Sequence, residues 1–164
     1  MPLLTSGDNM IIGLDPGTTH TGYCLIDFAY KVKEAGKAEN SLVRDMLKQM
    51  PVSHAAIESM ACYGMAVGRE VFETAYQIGR FQEILESRCV PVALYAKPEY
   101  GPAIAGVRKV TDSVIRQSLL LRFGGDKKGE PLHLLRGDSD RRSAFAVAAY
   151  HLDNLVRLTR KQAL

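Results

Sequence analysis

The alternation of apolar and polar positions predicts five short strands. They span Ile11–Leu14, Thr21–Asp27, Lys31–Ala38, His54–Glu58 and Val90–Ala96. Pro16-Gly17 breaks the first apolar run, and Thr18-Thr19 lead into the second, so the first two strands form a hairpin. The later strands are separated by helical patterns, which favours parallel pairing for them.

Four longer segments have the spacing of helices. They span Ser41–Met50, Gly68–Arg88, Thr111–Phe123 and Ala144–Arg160, the last beginning in a turn at 137–140. Ser41 and Thr111 are predicted N-caps. The Pro- and Gly-rich segment Lys97–Val110 is predicted as a loop. The order βββαβαβα favours an α/β fold with a mixed sheet and helices on both faces.

The longest predicted helix has apolar residues on two sides. One stripe comprises Val71, Phe72, Ala75, Ile78, Gly79 and Leu85. Phe81 and Ile84 fall outside that stripe, and Tyr76 lies on its far flank. We expect this helix to pack on the core and on a second surface, with a dimer contact favoured over burial within one domain.

Length and composition are those of a single globular domain covering residues 1–164, of which 1–10 are predicted to be frayed. Of the 164 residues, 46% are apolar and 24% are charged. No apolar run is long enough for a membrane span, and no secretory leader is visible, so a cytoplasmic location is expected. The widely spaced Cys24, Cys62 and Cys89 indicate reduced thiols and argue against a zinc site.

The net charge of +3 is weak evidence for a nucleic-acid partner, but the distribution of charge says more. Basic residues cluster from Arg108 to the carboxyl terminus. Scattered surface charge and a phosphate-binding surface explain this cluster equally well.

Three carboxylates lie at the ends of predicted elements. Asp15 follows the first strand, Glu58 ends the fourth, and Asp140 or Asp138 opens the last helix. If the first and fourth strands are parallel neighbours, their carboxyl ends meet at the edge of the sheet where sites form. Acids held about 4–6 Å apart repel one another when all are ionised, unless a cation lies nearby. A ligand set made only of oxygen atoms suits Mg²⁺ or Mn²⁺. Two such ions about 4 Å apart can promote hydrolysis of a phosphodiester.

Each acid also has a purely structural interpretation. Asp138 and Asp140 could cap the last helix, Glu58 could pair with a surface arginine, and Asp15 could form the turn before Pro16. The joint pattern is more specific to a metal site than any single acid.

These motifs resemble those of RuvC-type Holliday junction resolvases. The run Gly13–Thr18 followed by Thr21-Gly22-Tyr23 resembles their first motif, and Ala56-Ile57-Glu58 resembles their second. Asp140 followed by Ala144–Ala148 resembles their last. Two further runs, Val67–Thr74 and Asp112–Gln117, resemble the phage-borne branch of that family.

The resemblance implies a ribonuclease H-like fold and a homodimer with two active sites. Each site would nick one of two opposed strands of a four-way DNA junction, leaving 5′-phosphate and 3′-hydroxyl ends. The resemblance makes Asp15, Glu58 and Asp140 the catalytic metal ligands for two Mg²⁺ ions per site, with Mn²⁺ as the other choice. Ser143 stands where the bacterial pattern often has a further acid. The fourth ligand is therefore Asp138, Ser143 or water.

The same resemblance assigns contacts to DNA. Tyr63, in the loop after Glu58, would stack on an unpaired base at the junction centre, unless its ring folds back onto its own domain. Four basic residues would contact backbone phosphates: Lys97, Arg108, Lys109 and Arg116.

Three other functions are compatible with the residues. The run Asp15–Thr19 also resembles the first phosphate loop of actin-like ATPases, although neither a second such hairpin nor an adenosine site is visible. A ribonuclease H-like nuclease acting on RNA–DNA hybrids would carry the same acids. A junction-binding protein without catalysis would keep the basic residues and have no need of the acids.

Overall fold

Five strands form one mixed sheet in the computed structural model, which describes residues 9–163. They are β1 (Met10–Pro16), β2 (His20–Asp27), β3 (Val32–Glu39), β4 (His54–Ser59) and β5 (Val92–Ala96), in the spatial order β3-β2-β1-β4-β5. The β1–β2 and β2–β3 pairs are antiparallel, whereas β1–β4 and β4–β5 are parallel. This confirms the predicted mixed sheet, in which an opening antiparallel hairpin is followed by parallel strands.

Helices cover both faces of the sheet, as predicted. They are α1 (Asn40–Leu47), α2 (Arg69–Ser87), α3 (Lys97–Ala105), α4 (Asp112–Phe123) and α5 (Ser139–Gln162), with a 3₁₀ turn at His133–Leu135. Side chains alternate along β1, so that Ile11 faces the core that contains α3, α4 and α5, while Ile12 and Leu14 face the core that contains α1 and α2. Strand β1 is therefore buried on both faces, which explains its continuous apolar run.

Helix α5 lies unusually close to the sheet because glycines face it. A Cβ atom added at Gly13 would lie 2.0 Å from the carbonyl oxygen of Ala144, and one at Gly22 would lie 2.6 Å from the carbonyl oxygen of Asp140. The alanine-rich start of α5 contributes the matching small side chains, which are fully buried from Ala144 to Ala149. The backbone of α5 is thereby seated directly on β1 and β2.

The predicted loop at Lys97–Val110 is wrong, because the first nine residues of that segment form α3. Pro98 lies in the first turn, where a missing N–H group leaves no intrahelical bond unmade. Gly106 ends the helix in the left-handed conformation, with φ of 70°. The glycines and prolines of this segment thus include helix start and stop signals.

Several predicted boundaries also change. Glu39, and not Ser41, precedes the first turn of α1, and its side chain makes no capping bond. Helix α5 begins at Ser139, ahead of the predicted Ala144, and β5 begins at Val92, after the predicted Val90. Of the predicted frayed segment, residues 1–8 lie outside the described residues, whereas Met10 already belongs to β1.

The apolar stripe predicted for α2 is only partly correct. The residues that face the core are Thr74, Ile78, Phe81 and Leu85. Phe72, Ala75 and Gly79, predicted on that stripe, lie on the exposed side together with Tyr76. The helix therefore does have a second apolar side, which includes the predicted Tyr76 and Ile84, whereas Phe81 belongs to the core.

Between residues 9 and 163, none of the helices is both long enough and apolar enough to cross a bilayer.

The close seating of α5 generates a stability prediction. Gly13→Ala should lower the free energy of unfolding by about 3 kcal/mol, since the new methyl group meets backbone atoms that cannot move aside. The matched control is Gly68→Ala at the N-cap of α2, where no atom lies within 4 Å of the added Cβ. This control should change the free energy of unfolding by less than about 1 kcal/mol, since only the capping preference differs. Urea unfolding of both variants measures the difference, and equal effects would contradict the seating of α5.

Candidate active site

Asp15 and Glu58 lie side by side at the carboxyl ends of β1 and β4. The parallel register pairs Leu14 with Ile57, so the next residue on each strand is one of the two acids. Both side chains lie on the face of the sheet that α5 covers, and they are hydrogen-bonded to each other. The structure thus brings together the two acids that end predicted core strands.

Burial and the neighbouring negative charges favour a protonated form of the pair formed by Asp15 and Glu58. Burial, followed by the charges of Glu58 and Asp140, raises the pKa of Asp15 to about 8, against the opposing effect of Lys97. Burial also raises the pKa of Glu58, although hydrogen bonds from Tyr100 and Asp15 and the charge of Lys97 oppose it. The arrangement that these effects favour has the proton on Asp15, with its hydroxyl group donating to Glu58.

Tyr100 holds Glu58 in place. Its hydroxyl group donates to Oε2 of Glu58 over 3.0 Å, and its side chain is fully buried in α3. Ser143 of α5 is buried beside it and acts to lower the pKa of Tyr100. Burial and the neighbouring carboxylates raise the pKa of Tyr100, so its proton stays available to Glu58.

Asp140 approaches the pair from the first turn of α5. It lines a polar cleft of about 270 Å³ together with Asp15, Lys37 and the turn 16–20. Its Oδ2 atom lies 2.5 Å from the ammonium nitrogen of Lys37. Over residues 9–163, no three His, Cys, Asp or Glu side chains are gathered as the ligands of a metal ion. The third acid thus lies at the same rim but is paired with a lysine.

Asp138 is the N-cap of α5. Its Oδ1 atom accepts hydrogen bonds from the backbone N–H groups of Asp140 and Arg141, at 2.8 and 3.3 Å. Partial burial acts to raise the pKa of this acid, but those bonds and the charge of Arg141 outweigh it and hold the pKa below its ordinary value. Asp138 therefore has the structural role of a helix cap that the sequence also allowed. Ser143 lies beside Tyr100.

The turn after Asp15 is fixed by a buried side chain. The amide nitrogen of Asn40 donates to the carbonyl oxygens of Gly17 and Thr18, at 3.0 and 3.1 Å. The hydroxyl group of Thr21 donates to the amide oxygen of Asn40 over 2.6 Å. These bonds satisfy the backbone of the turn without using Asp15, which leaves that carboxyl group free for the cleft.

Three of the four predicted phosphate-contacting residues lie together. Lys97, Arg108 and Lys109 line one cavity of about 460 Å³ between α3 and the segment after it. Lys97 also pairs with Asp112, and its charge reaches both Asp15 and Glu58. Arg116 is not in this cavity and instead pairs with Asp126 at 2.8 Å.

Tyr63 lies at the tip of the loop between β4 and α2. Its side chain is 76% exposed, and that of Met65 is 77% exposed. Tyr63 and Gly64 both have positive φ, at 35° and 77°, and the N–H group of Met65 donates to the carbonyl oxygen of Cys62 over 2.7 Å. The ring projects from a tight turn into solvent and does not fold back onto its own domain.

The donor set fits a hard divalent cation. Asp15 and Glu58 contribute only oxygen atoms, and their shared proton marks a place where two negative charges are forced together. Asp15 and Glu58 would both hold such a cation in their ionised forms, which its positive charge would favour over the protonated one. Asp140 could join them only after leaving Lys37.

Sequence reasoning missed three residues of this site: Lys37, Asn40 and Tyr100. Tyr100 was hidden because its segment was assigned to a loop. Asn40 directly precedes the predicted Ser41 cap. Nothing in the local sequence shows that its side chain is buried and hydrogen-bonded to the turn after Asp15. Lys37 could have been found from the alternation of β3 combined with the hairpin register, which sets it opposite Gly22.

The strand order β3-β2-β1-β4-β5, with helices on both faces, is that of a ribonuclease H-like fold. The fold is the RuvC fold. The chain superposes on a structure described as T. thermophilus RuvC in complex with Holliday junction substrate with a TM-score of 0.69, at 18% identity, over 92% of this chain and 96% of the other. A second structure of T. thermophilus RuvC gives a TM-score of 0.67 at 16% identity, with the same coverage of both chains.

Comparisons of the sequence itself gave no match. No protein-family model and no curated protein matches this chain. The likeness to T. thermophilus RuvC therefore shows the fold.

The shared proton generates a pH prediction. An ordinary aspartate has a pKa near 4 when unfolded, so between about pH 4 and 8 the unfolded chain has released a proton that folded Asp15 keeps. The free energy of unfolding should therefore fall as the pH rises through that window. Asp15→Asn should make this slope shallower, leaving the contribution of Glu58, and should be more stable than the parent by about 1–3 kcal/mol at pH 8, with little difference at pH 4.5.

Urea unfolding in EDTA at both pH values measures the effect. The matched control is Asp45→Asn, an exposed acid on α1 whose pKa is lowered by a hydrogen bond and charge from Lys48. This control should show no gain at pH 8. Parallel pH profiles for Asp15→Asn and the parent would contradict the shared proton.

Proposed function

We propose that this protein is a metal-dependent endonuclease that resolves four-way DNA junctions. Paired, symmetric nicks in two opposed strands leave 5′-phosphate and 3′-hydroxyl ends. The observation that carries the proposal is the half-buried pair Asp15–Glu58 at adjacent strand ends, with Asp140 at the same rim. The RuvC fold supports it, since one of the structures with that fold is described as a complex with a Holliday junction substrate.

The metal ligands in this proposal are Asp15, Glu58 and Asp140. They would hold Mg²⁺, or Mn²⁺ in its place, with two ions per site. Bound ions of this kind activate a water molecule and stabilise the leaving oxygen of a phosphodiester. Asp138 is a weaker candidate for the fourth ligand, because its Oδ1 atom caps α5, and water is the better one.

The side chains around the acids orient the reaction. Tyr100 keeps Glu58 directed at Asp15 through its 3.0 Å hydrogen bond. Asn40 keeps the turn after Asp15 open to the cleft. The charge of Lys97 reaches both acids and opposes the rise in their pKa values. In this proposal Lys97 contacts the phosphate that enters the site and stabilises charge on its oxygens.

A basic surface beside the acids binds the DNA backbone. Lys97, Arg108 and Lys109 share one cavity, and contacts of this kind position the duplex without reading its sequence. Arg116 adds a contact only if it leaves Asp126. The exposed ring of Tyr63 stacks on an unpaired base at the junction centre.

The open side of α2 is the homodimer contact in this proposal. Phe72 and Tyr76 are 52% and 65% exposed there, and Gly79 leaves room for close approach. A groove of about 560 Å³ runs along the same side between Arg44 and Ile84. Two copies joined along α2 would present two sites to opposed strands. A reducing, cytosol-like compartment suits the three free cysteines.

The proposal is tested by Asp15→Asn on a labelled mobile four-way junction in Mg²⁺. Cleavage should fall by at least about a hundredfold, the scale on which loss of one charge-stabilising group acts in enzymes. Binding measured by gel shift should remain within about twofold of the parent protein, because the basic surface is intact. The matched control is Asp45→Asn, which should cut normally.

Three results would identify another function. Cleavage by Asp15→Asn at the parental rate would show that the acids are not catalytic. Faster cleavage of an RNA–DNA hybrid than of the junction would indicate a different ribonuclease H-like nuclease. Junction binding by a parent protein that never nicks DNA in Mg²⁺ or Mn²⁺ would indicate a binding protein.

The basic surface generates a salt prediction. Junction affinity should fall steeply with salt, with a logarithmic slope of about −0.9 for each phosphate contact. The double variant Arg108→Gln/Lys109→Gln should bind more weakly and have a slope smaller by about 2. Lys48→Gln, an exposed lysine at the far end of α1 from the cleft, is the matched control and should keep the parental slope. An unchanged slope in the double variant would place the phosphate contacts elsewhere.

A further inference from the structure

Lys37 faces the acidic cleft because of the strand register. Gly22 on β2 is paired with Asp15 on β1 and with Lys37 on β3. Residues paired in this way point to the same face of a sheet, so Asp15 and Lys37 flank an empty position. Within residues 9–163, Lys37 is the only lysine or arginine that lines the cleft.

The empty position above Gly22 is filled by Asp140. A Cβ atom on Gly22 would lie 2.6 Å from the carbonyl oxygen of Asp140 and 2.7 Å from its Cβ atom. The start of α5 therefore rests between the rows of Asp15 and Lys37. This places the carboxylate of Asp140 within reach of either a cation held by Asp15 or the ammonium group of Lys37.

The structure shows the second arrangement. The ammonium nitrogen of Lys37 lies 2.5 Å from Oδ2 of Asp140, while Oδ1 accepts a longer hydrogen bond from Ser139 at 3.4 Å. The hydrogen bond and charge of Asp140, followed by the charges of Asp138 and Asp15, raise the pKa of Lys37. Lys37 thus balances the negative charge of the cleft.

We infer that Lys37 is a built-in counter-ion that competes with a divalent cation for Asp140. This inference rests on the proposed function, and it concerns how that site is loaded. Without metal, the ammonium group holds Asp140 and limits repulsion among the acids. Loading requires Asp140 to exchange Lys37 for the metal, so Lys37 weakens metal binding. Lys37 acts through Asp140 and is a positioning residue.

The test is the direct binding of Mn²⁺, measured from the electron paramagnetic resonance signal of the free ion. Lys37→Gln should bind Mn²⁺ about three- to tenfold more tightly than the parent, since an exposed ion pair is broken and a nearby positive charge is removed. Lys37→Arg should stay within about twofold of the parent, because it keeps the competing charge. Lys33→Gln is the matched control, since Lys33 lies on the same strand but pairs with Asp27, and its affinity should not change.

A double-mutant cycle identifies Asp140 as the contested ligand. In an Asp140→Asn background, Lys37→Gln should tighten Mn²⁺ binding by less than half as much, on a logarithmic scale, as it does in the parent. Thermal unfolding gives a second readout that needs no cleavage. Mn²⁺ should raise the melting temperature of Lys37→Gln more than that of the parent, because tighter binding stabilises the folded state further.

The outcomes separate this inference from the proposed function. If the parent binds Mn²⁺ more tightly than Asp15→Asn does, while Lys37→Gln matches the parent, the counter-ion is refuted and the metal site stands. If Lys37→Gln tightens binding equally with and without Asp140, competition for that ligand is refuted. If neither the parent nor Lys37→Gln binds Mn²⁺, both proposals fail.

Discussion

The contact between two half-buried carboxyl groups is the constraint that the surrounding structure satisfies. Asp15 and Glu58 end adjacent parallel strands, and both lose part of their hydration there. A shared proton, the Tyr100 hydroxyl group and the charge of Lys97 together make the arrangement tolerable. Each of these comes from a different part of the chain, which explains why strands that are distant in sequence must be held in strict register.

Close contact between helix α5 and two glycines fixes the position of α5 on the sheet. Gly13 and Gly22 allow its backbone to touch β1 and β2, so the first turn of the helix has no freedom to shift relative to Asp15. A larger residue at either place would lift the helix and carry Asp140 away from the rim. The same contact that packs the core therefore also sets the distance between the third acid and the other two.

The sequence predicted the parts of the site that depend on local pattern. The buried strands were visible because parallel core strands are apolar on both faces, and Asp15 and Glu58 stood out as charges at their ends. Helix α3 was missed because its prolines and glycines serve as helix signals in one context and loop signals in another, and Tyr100 was lost with it. Lys37 depends on pairing across two strands, and the ion pair of Arg116 with Asp126 depends on a distant turn, so neither has a signature of its own.

The loop that carries Tyr63 has a further consequence. A hydrogen bond from Met65 to Cys62 closes the tip of this loop, and Tyr63 and Gly64 have positive φ. The aromatic ring is therefore carried by a preformed turn and not by a flexible segment. Ordering a free segment on contact would cost conformational entropy for every residue in it. A turn that is already formed loses much less conformational entropy when it binds. A surface that contacts Tyr63 can therefore be bound at a small entropic cost.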